Sequence, residues 1–197
     1  NTDKIFLVEN GKDFFYKDLI DLIDEIEKEL NPLLAEITYK DIIKFSFNNI
    51  FSFSAFYLYS IKKNLTIEPV RELKNRKIIQ FRHQSEKIHL DIDLKSKNAT
   101  PFDEATFVIN SSGSTGKPKK IFLSYQRLYE SCISINEYMK TKKSDFHAWS
   151  MPPDYVYGLS MLNQLLFSTS SAYIIDPNVT LNKLIEDFNK FKINKIY

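Results

Sequence analysis

"INSSGSTGKPKKIFLS", residues 109–124, decides how this chain is read. Its central eleven positions, Asn110 to Lys120, hold two of the chain's four glycines and three of its lysines. Ser111, Ser112, Ser114 and Thr115 set hydroxyls around Gly113, and Gly116 stands before Pro118 and Lys119. Glycines let a backbone turn sharply and present its N–H groups, and successive N–H groups make concavities that hold anions. Hydroxyls donate further hydrogen bonds, a lysine brings a mobile positive charge, and Pro118 restrains the chain beyond the second glycine. Each part suits a polyphosphate. An ordinary polar hairpin connection draws on the same residue types. The complete order, two hydroxyl residues, Gly, a hydroxyl residue, Thr, Gly, any residue, Pro and Lys, arises by chance in about one such chain per million. It is also distinct from the P-loop of kinases and GTPases: that loop needs Ser or Thr after Gly-Lys, where this chain has Pro118, and a Gly at the position of Ser111.

Working outward, the glycine stretch joins an apolar strand "TFVIN" to a second one, "KIFLS", with no helix directly after it. A helix over about 125–140 follows, then strand "FHAWSM", a helix over 159–168, strand "SAYIID", a helix over 180–191 and the strand "INKIY". Upstream, "KIFLVENGKDFFY" predicts a hairpin about Asn10-Gly11, the dipeptide that best tolerates positive φ. Residues 17–30 place Leu19, Ile23, Ile26 and Leu30 on one helical face, with Asn31-Pro32 as the stop. "DIIKFSF" reads as a strand, Asn48 or Asn49 as a cap, and "IFSFSAFYLYSIKKN" as a helix apolar enough to be buried. A strand over 65–70, a short basic helix or loop over 71–80, the alternating strand "KIHLDIDL" and a polar loop over 96–105 complete the pass. Strands alternating with helices predict an α/β fold, a largely parallel sheet flanked by helices.

Composition narrows the function. Twenty-seven basic and twenty-five acidic residues are interspersed, leaving no cationic track for nucleic acid. The longest apolar runs are broken by Ser and fall short of the roughly 20 residues of a membrane span. The N-terminal sequence lacks a basic start before an apolar run, which predicts a cytoplasmic protein. Cys132 is the single cysteine and falls in a helical pattern, where a small buried residue is expected. His83, His89 and His147 are far apart and offer no ligand-spaced pair, so no metal site is predicted.

From Ser111 to Lys119 the glycine stretch resembles the phosphate-binding signature of the adenylate-forming superfamily: acyl-CoA synthetases, aryl-CoA ligases, luciferases and peptide-synthetase adenylation domains. The family's next residue is usually Gly, and this chain has Lys120. "MPPDYVYGLSMLNQLLFSTSSAYII" is similar to the family stretch that borders the carboxylate, with Tyr155 where His often stands and Gly158 as the following glycine. "FLVENGKDFFYKDLIDLIDEI" resembles the family's opening strand pair and first helix. The resemblance implies that residues 1–197 are the N-terminal part of a large adenylation domain, with a first segment over 1–95 and the loop-bearing segment over 104–197. It implies that the second half of that domain and a small C-terminal domain lie outside this sequence.

The implied reaction is activation of a small-molecule carboxylate by ATP and Mg²⁺ to an acyl-adenylate, then transfer to the thiol of CoA or of a phosphopantetheine carrier protein. Ser111, Ser112, Gly113, Ser114, Thr115, Gly116 and Lys119 are the implied nucleotide-binding residues, with Thr115 and Lys119 also catalytic. Tyr155 and Gly158 are the implied substrate-binding residues. Lys117, at the family's variable position, is expected to be a solvated charge. Two other readings stay open from the residues alone: a non-catalytic fragment or partner subunit that keeps the loop, and a phosphotransferase drawing a Mg²⁺ ligand from Asp145, Asp154 or Asp176.

Overall fold

The hairpin dipeptide is where the chain first turns. Asn10 and Gly11 both have positive φ, 54° and 76°, and join β1 (Ile5–Glu9) to antiparallel β2 (Lys12–Phe15). This is a computed structural model that describes residues 2–71, 73, 77–83, 86–93, 99–111 and 119–196. After β2 come α1 (Tyr16–Leu30) and a 3-10 turn at Asn31–Leu33. The expected apolar stripe on α1 is present but rotated slightly: Leu19, Leu22, Ile26 and Leu30 are buried, and Ile23 is half-buried. Next are β3 (Ile42–Phe47), α2 (Ile50–Lys62) and β4 (Thr66–Pro69). Asn49 caps α2, its side-chain oxygen accepting the Ser52 N–H at 2.7 Å.

Residues 71–80 do not form the expected basic helix or loop throughout, because β5 (Lys77–His83) pairs antiparallel with β6 (Glu86–Asp93) over seven register positions. A long-range ladder of this kind outweighs local propensity. The downstream alternation follows as β7 (Thr106–Asn110), β8 (Lys120–Ser124), α3 (Tyr125–Met139), β9 (Phe146–Trp149), α4 (Val156–Ser168), β10 (Ser171–Ile174), α5 (Leu181–Phe191) and β11 (Lys195–Ile196). The fold is α/β with mixed, largely parallel sheets flanked by helices.

Two compact units are formed. The first contains Asn1–Leu19 and Tyr129–Tyr197, the second Ile20–Leu128. The first unit's sheet has the order β11-β9-β10-β1-β2, parallel except at the β1–β2 hairpin. Its core holds Phe6, Leu7, Trp149, Leu162 and Leu165, and the Tyr16 hydroxyl donates to the Ser170 carbonyl at 2.7 Å. His147 on β9 is fully buried, and burial lowers its ring to a pKa of about 4. Cys132 is buried as expected, and burial pushes its thiol up to about 11, so it is a packing residue and not a nucleophile.

The second unit's sheet runs β5-β6-β3-β4-β7-β8, with β3, β4 and β7 mutually parallel and antiparallel partners on either side. The aromatics of α2 are core. Phe53 and Tyr57 meet Phe107 of β7 at centroid distances of 6.0 and 5.6 Å, and Phe56 meets Phe45 of β3 at 4.7 Å. Edge-to-face and tilted ring pairs of this sort contribute about 0.5–1.5 kcal/mol each beyond burial. They fix α2 against the strands that lead into the glycine stretch.

Candidate functional site

The glycine stretch lies between two strands that pair with each other. β7 and β8 pair antiparallel from Thr106↔Ser124 to Asn110↔Lys120, so the loop springs from the end of a five-rung ladder. One more rung lies beyond: the Ser111 N–H donates to the Lys119 carbonyl at 2.9 Å, and the Lys119 N–H donates to Ser111 Oγ at 2.9 Å. Among the described residues, none accepts the Ser111 hydroxyl hydrogen. Ser112, Gly113, Ser114, Thr115 and Gly116, with Lys117 and Pro118, lie outside the described residues.

Strand β4 braces this hairpin from the sheet's interior. At one end of β7, Thr66 Oγ1 accepts the Thr106 N–H at 3.1 Å and donates to the Tyr39 carbonyl at 2.5 Å. At the other end, the buried Glu68 accepts from Asn110 Nδ2 at 3.1 Å and from Lys120 Nζ at 2.7 Å. Sequence reasoning missed Glu68 and Asn110. The available signal was an acid set inside the otherwise uncharged strand "TIEP", together with a lysine where the family pattern has glycine.

Neighbouring lysines therefore differ. The Lys120 ammonium is paired, whereas among the described residues no carboxylate holds Lys119, which is exposed. β8 runs straight into α3, whose first turn is capped by Ser124 Oγ accepting the Arg127 N–H at 3.3 Å. As expected, the loop opens between two strands and not onto a helix.

The other predicted site residues sit in the first unit. Tyr155 is the N-cap of α4, extended at φ −105° and ψ 151°, 41 % exposed, and its carbonyl accepts the Leu159 N–H at 2.8 Å. α4 thus starts three residues earlier than expected. Gly158 is buried in the first turn of that helix. A Cβ there would fall inside the Pro152 carbonyl and 2.7 Å from the Met151 carbonyl oxygen, so this glycine lets the helix lie directly on the backbone of the preceding turn. Two of the acids weighed as Mg²⁺ ligands have structural work. Asp145 accepts from the Lys142 N–H at 2.8 Å and Asn194 Nδ2 at 2.9 Å, and Asp176 accepts from the Asn178 N–H at 2.8 Å.

A cavity of about 270 Å³ opens at the ends of β1 and β10. In its lining, Asp187 is buried and accepts from the Tyr173 hydroxyl at 2.6 Å and Lys183 Nζ at 2.5 Å. The two hydrogen bonds hold the Asp187 carboxyl below its ordinary value against the opposing effect of burial. No helix among the described residues is long and apolar enough to cross a membrane.

With this geometry, the model of the AMP-binding enzyme family matches residues 57–197, from the middle of α2 through the loop-bearing hairpin to the end of the chain. The chain belongs to the AMP-binding enzyme family. No curated protein matches it closely enough to count as a relative. Among solved structures, this chain is similar to o-succinylbenzoate CoA synthetase (MenE) from Bacillus subtilis in complex with its acyl-adenylate intermediate. The TM-score is 0.69 at 14 % identity, over 98 % of this chain and 58 % of that one. ATP-bound MatB from Rhodopseudomonas palustris gives a TM-score of 0.69 at 12 % identity, over 96 % of this chain and 45 % of that one. VinN gives 0.70 at 11 % identity, over 98 % and 56 %. At such identities the likeness establishes the fold. The chain spans about half the length of these structures.

Proposed function

We propose that this chain supplies the phosphate-gripping part of an enzyme that activates a carboxylate with ATP, forming an acyl-adenylate and then passing the acyl group to the thiol of CoA or a carrier protein. The observation that carries this reading is the hairpin mouth: just beyond the facing ends of β7 and β8 stand a hydroxyl and an exposed lysine that no carboxylate holds among the described residues, in a chain that matches the AMP-binding family. The described residues fit a polyanion, since the one buried carboxylate at the mouth is already neutralised by Lys120. Two structures similar to this chain were solved with an acyl-adenylate and with ATP, and a further MenE structure with ATP and magnesium ion.

In the proposed reaction a carboxylate oxygen attacks the α-phosphorus of ATP. The bond from that phosphorus to the bridging oxygen breaks, and its electron pair leaves with pyrophosphate. Carboxylate and triphosphate repel each other, so alignment and charge neutralisation are the main demands on the protein. Ser111, Ser112, Ser114 and Thr115 donate to the β- and γ-phosphates through hydroxyls or backbone, and Gly113 and Gly116 allow close approach. Lys119 balances the charge that develops on the leaving pyrophosphate, while Tyr155 and Gly158 border the acyl end. Magnesium held on the phosphate oxygens supplies further neutralisation when bound.

In the same proposal, residues 1–197 form the N-terminal part of a large adenylation domain in a cytoplasmic protein, and this stretch alone has little or no activity. The test is carboxylate-dependent exchange of labelled pyrophosphate into ATP, run on the protein at the full length its reading frame encodes, across fatty, aryl and amino acids. Exchange with AMP formation supports the reading. ADP as the product, with no exchange, overturns it in favour of phosphoryl transfer.

A further inference from the structure

Glu68 should be expensive where it is. The residue is 3 % exposed in a strand with a partner on each side, and a buried carboxylate is tolerated only when its charge and lone pairs are met. Both oxygens are met, and by residues that face each other. Asn110 and Lys120 are register partners, the last ladder rung before the glycine loop, and Glu68 takes one with each oxygen, at 3.1 and 2.7 Å. A single carboxylate on a third strand therefore holds the two sides of the loop's mouth together. The Ser111–Lys119 rung lies immediately outward of this clamp.

Lys120 is also where the resemblance to the adenylate-forming family has glycine. A glycine there carries no ammonium, so it would leave Glu68 as an uncompensated negative charge at the base of a loop built for polyphosphate. We infer that Glu68 is a positioning residue for the 111–119 loop and that Lys120 is its dedicated counter-ion, the two forming a neutral clamp that leaves the Lys119 charge free to act on phosphate. The clamp's link to phosphate rests on the reading given under Proposed function; its hold on the hairpin mouth does not.

Charge bookkeeping separates this from a generic packing role. The mouth carries Glu68, Lys119 and Lys120, a net charge of +1. Lys120→Met takes it to zero and strands the carboxylate, and adding Glu68→Gln returns it to +1 with no buried charge. The experiment is a double-mutant cycle in the 197-residue chain with Glu68→Gln, Lys120→Met and the pair. Two readouts are needed: amide hydrogen exchange at Ser111 and Lys119 against Val8 of β1, and affinity for inorganic tripolyphosphate by calorimetry.

Lys120→Met is expected to speed exchange at Ser111 and Lys119 about tenfold more than at Val8. It is expected to weaken tripolyphosphate about tenfold, with the double variant recovering most of both losses. Equal acceleration at all three amides, or no recovery in the double variant, overturns the clamp. If Lys120→Met does not fold, the double variant, folded and near wild type in exchange, still supports it, and its failure to fold counts against it. A wild-type chain that ignores tripolyphosphate while the exchange coupling holds overturns the phosphate reading and leaves the clamp standing.

Discussion

Ser111 and Lys119 close the glycine loop on itself: the serine N–H reaches the lysine carbonyl at 2.9 Å, and the lysine N–H comes back to the serine hydroxyl at the same distance. The side chain of Ser111 thus serves the loop as an acceptor. Ser111→Ala removes the acceptor at a partly exposed site where water can take over, so a cost of about 0.5–1 kcal/mol in urea denaturation is expected. Ser111→Thr, which keeps the oxygen, should stay within about 0.5 kcal/mol of wild type.

Lys119 and Lys117 should part company in the exchange assay. Lys119→Ala is expected to slow carboxylate-dependent pyrophosphate exchange by about 100-fold, the scale of losing one group that stabilises developing charge. Lys117→Ala is expected to leave it within about threefold, as for a solvated charge screened by salt. Near-normal exchange in Lys119→Ala would remove it from the proposed mechanism.

Gly158→Ala tests a steric claim. The added methyl meets the backbone of Met151 and Pro152, neither of which can swing aside as a side chain would. A loss of about 1–3 kcal/mol of unfolding free energy, with a lowered denaturation midpoint, is expected, typical of overpacking. An unchanged midpoint would show that the first turn of α4 yields easily.

Acid should weaken the first unit through His147. Its ring is held neutral by burial at a pKa of about 4, with Lys195 and Lys4 acting in the same direction and Asp145 opposing, whereas an unfolded histidine titrates near 6.5. The unfolded chain therefore binds the proton first. Stability is full above pH ~6.5 and declines as pH falls toward about 4, by on the order of 2–3 kcal/mol. Asp145, whose carboxyl is lowered by its hydrogen bonds despite burial, adds to the loss only at still lower pH. In His147→Phe the slope of stability between pH 6.5 and 4 should flatten, whatever the variant's absolute stability; an unchanged slope would assign the acid sensitivity elsewhere.

What could be read in advance was local. Asn10-Gly11 announced its hairpin because positive φ is a property of the dipeptide itself, and Asn49 announced a cap because its side chain competes for N–H groups within reach. The family was legible because the pattern from Ser111 to Lys119 that carries it is contiguous. What escaped was set by distant partners. β5 exists because β6 pairs with it, and nothing in "KIIQFRH" alone requires that. The division of the strands into two sheets depends on which edges meet after the chain has looped back. Glu68 finds Lys120 across 52 positions, so neither residue advertises the other. At Gly158 the sequence signalled a special position, and the structure supplied a local cause, backbone against backbone.

The strand order places β7 between two neighbours and β8 at the rim of its sheet. Among the described residues the hairpin is therefore a cantilever, built into the sheet along one side with no strand along the other. Any load a ligand puts on its tip passes through β7 and the Glu68 brace into the middle of the sheet, while the outer face of β8 at the exposed Ile121 bears little of it. Substitution on that outer face should be tolerated, and the same change one strand inward should not.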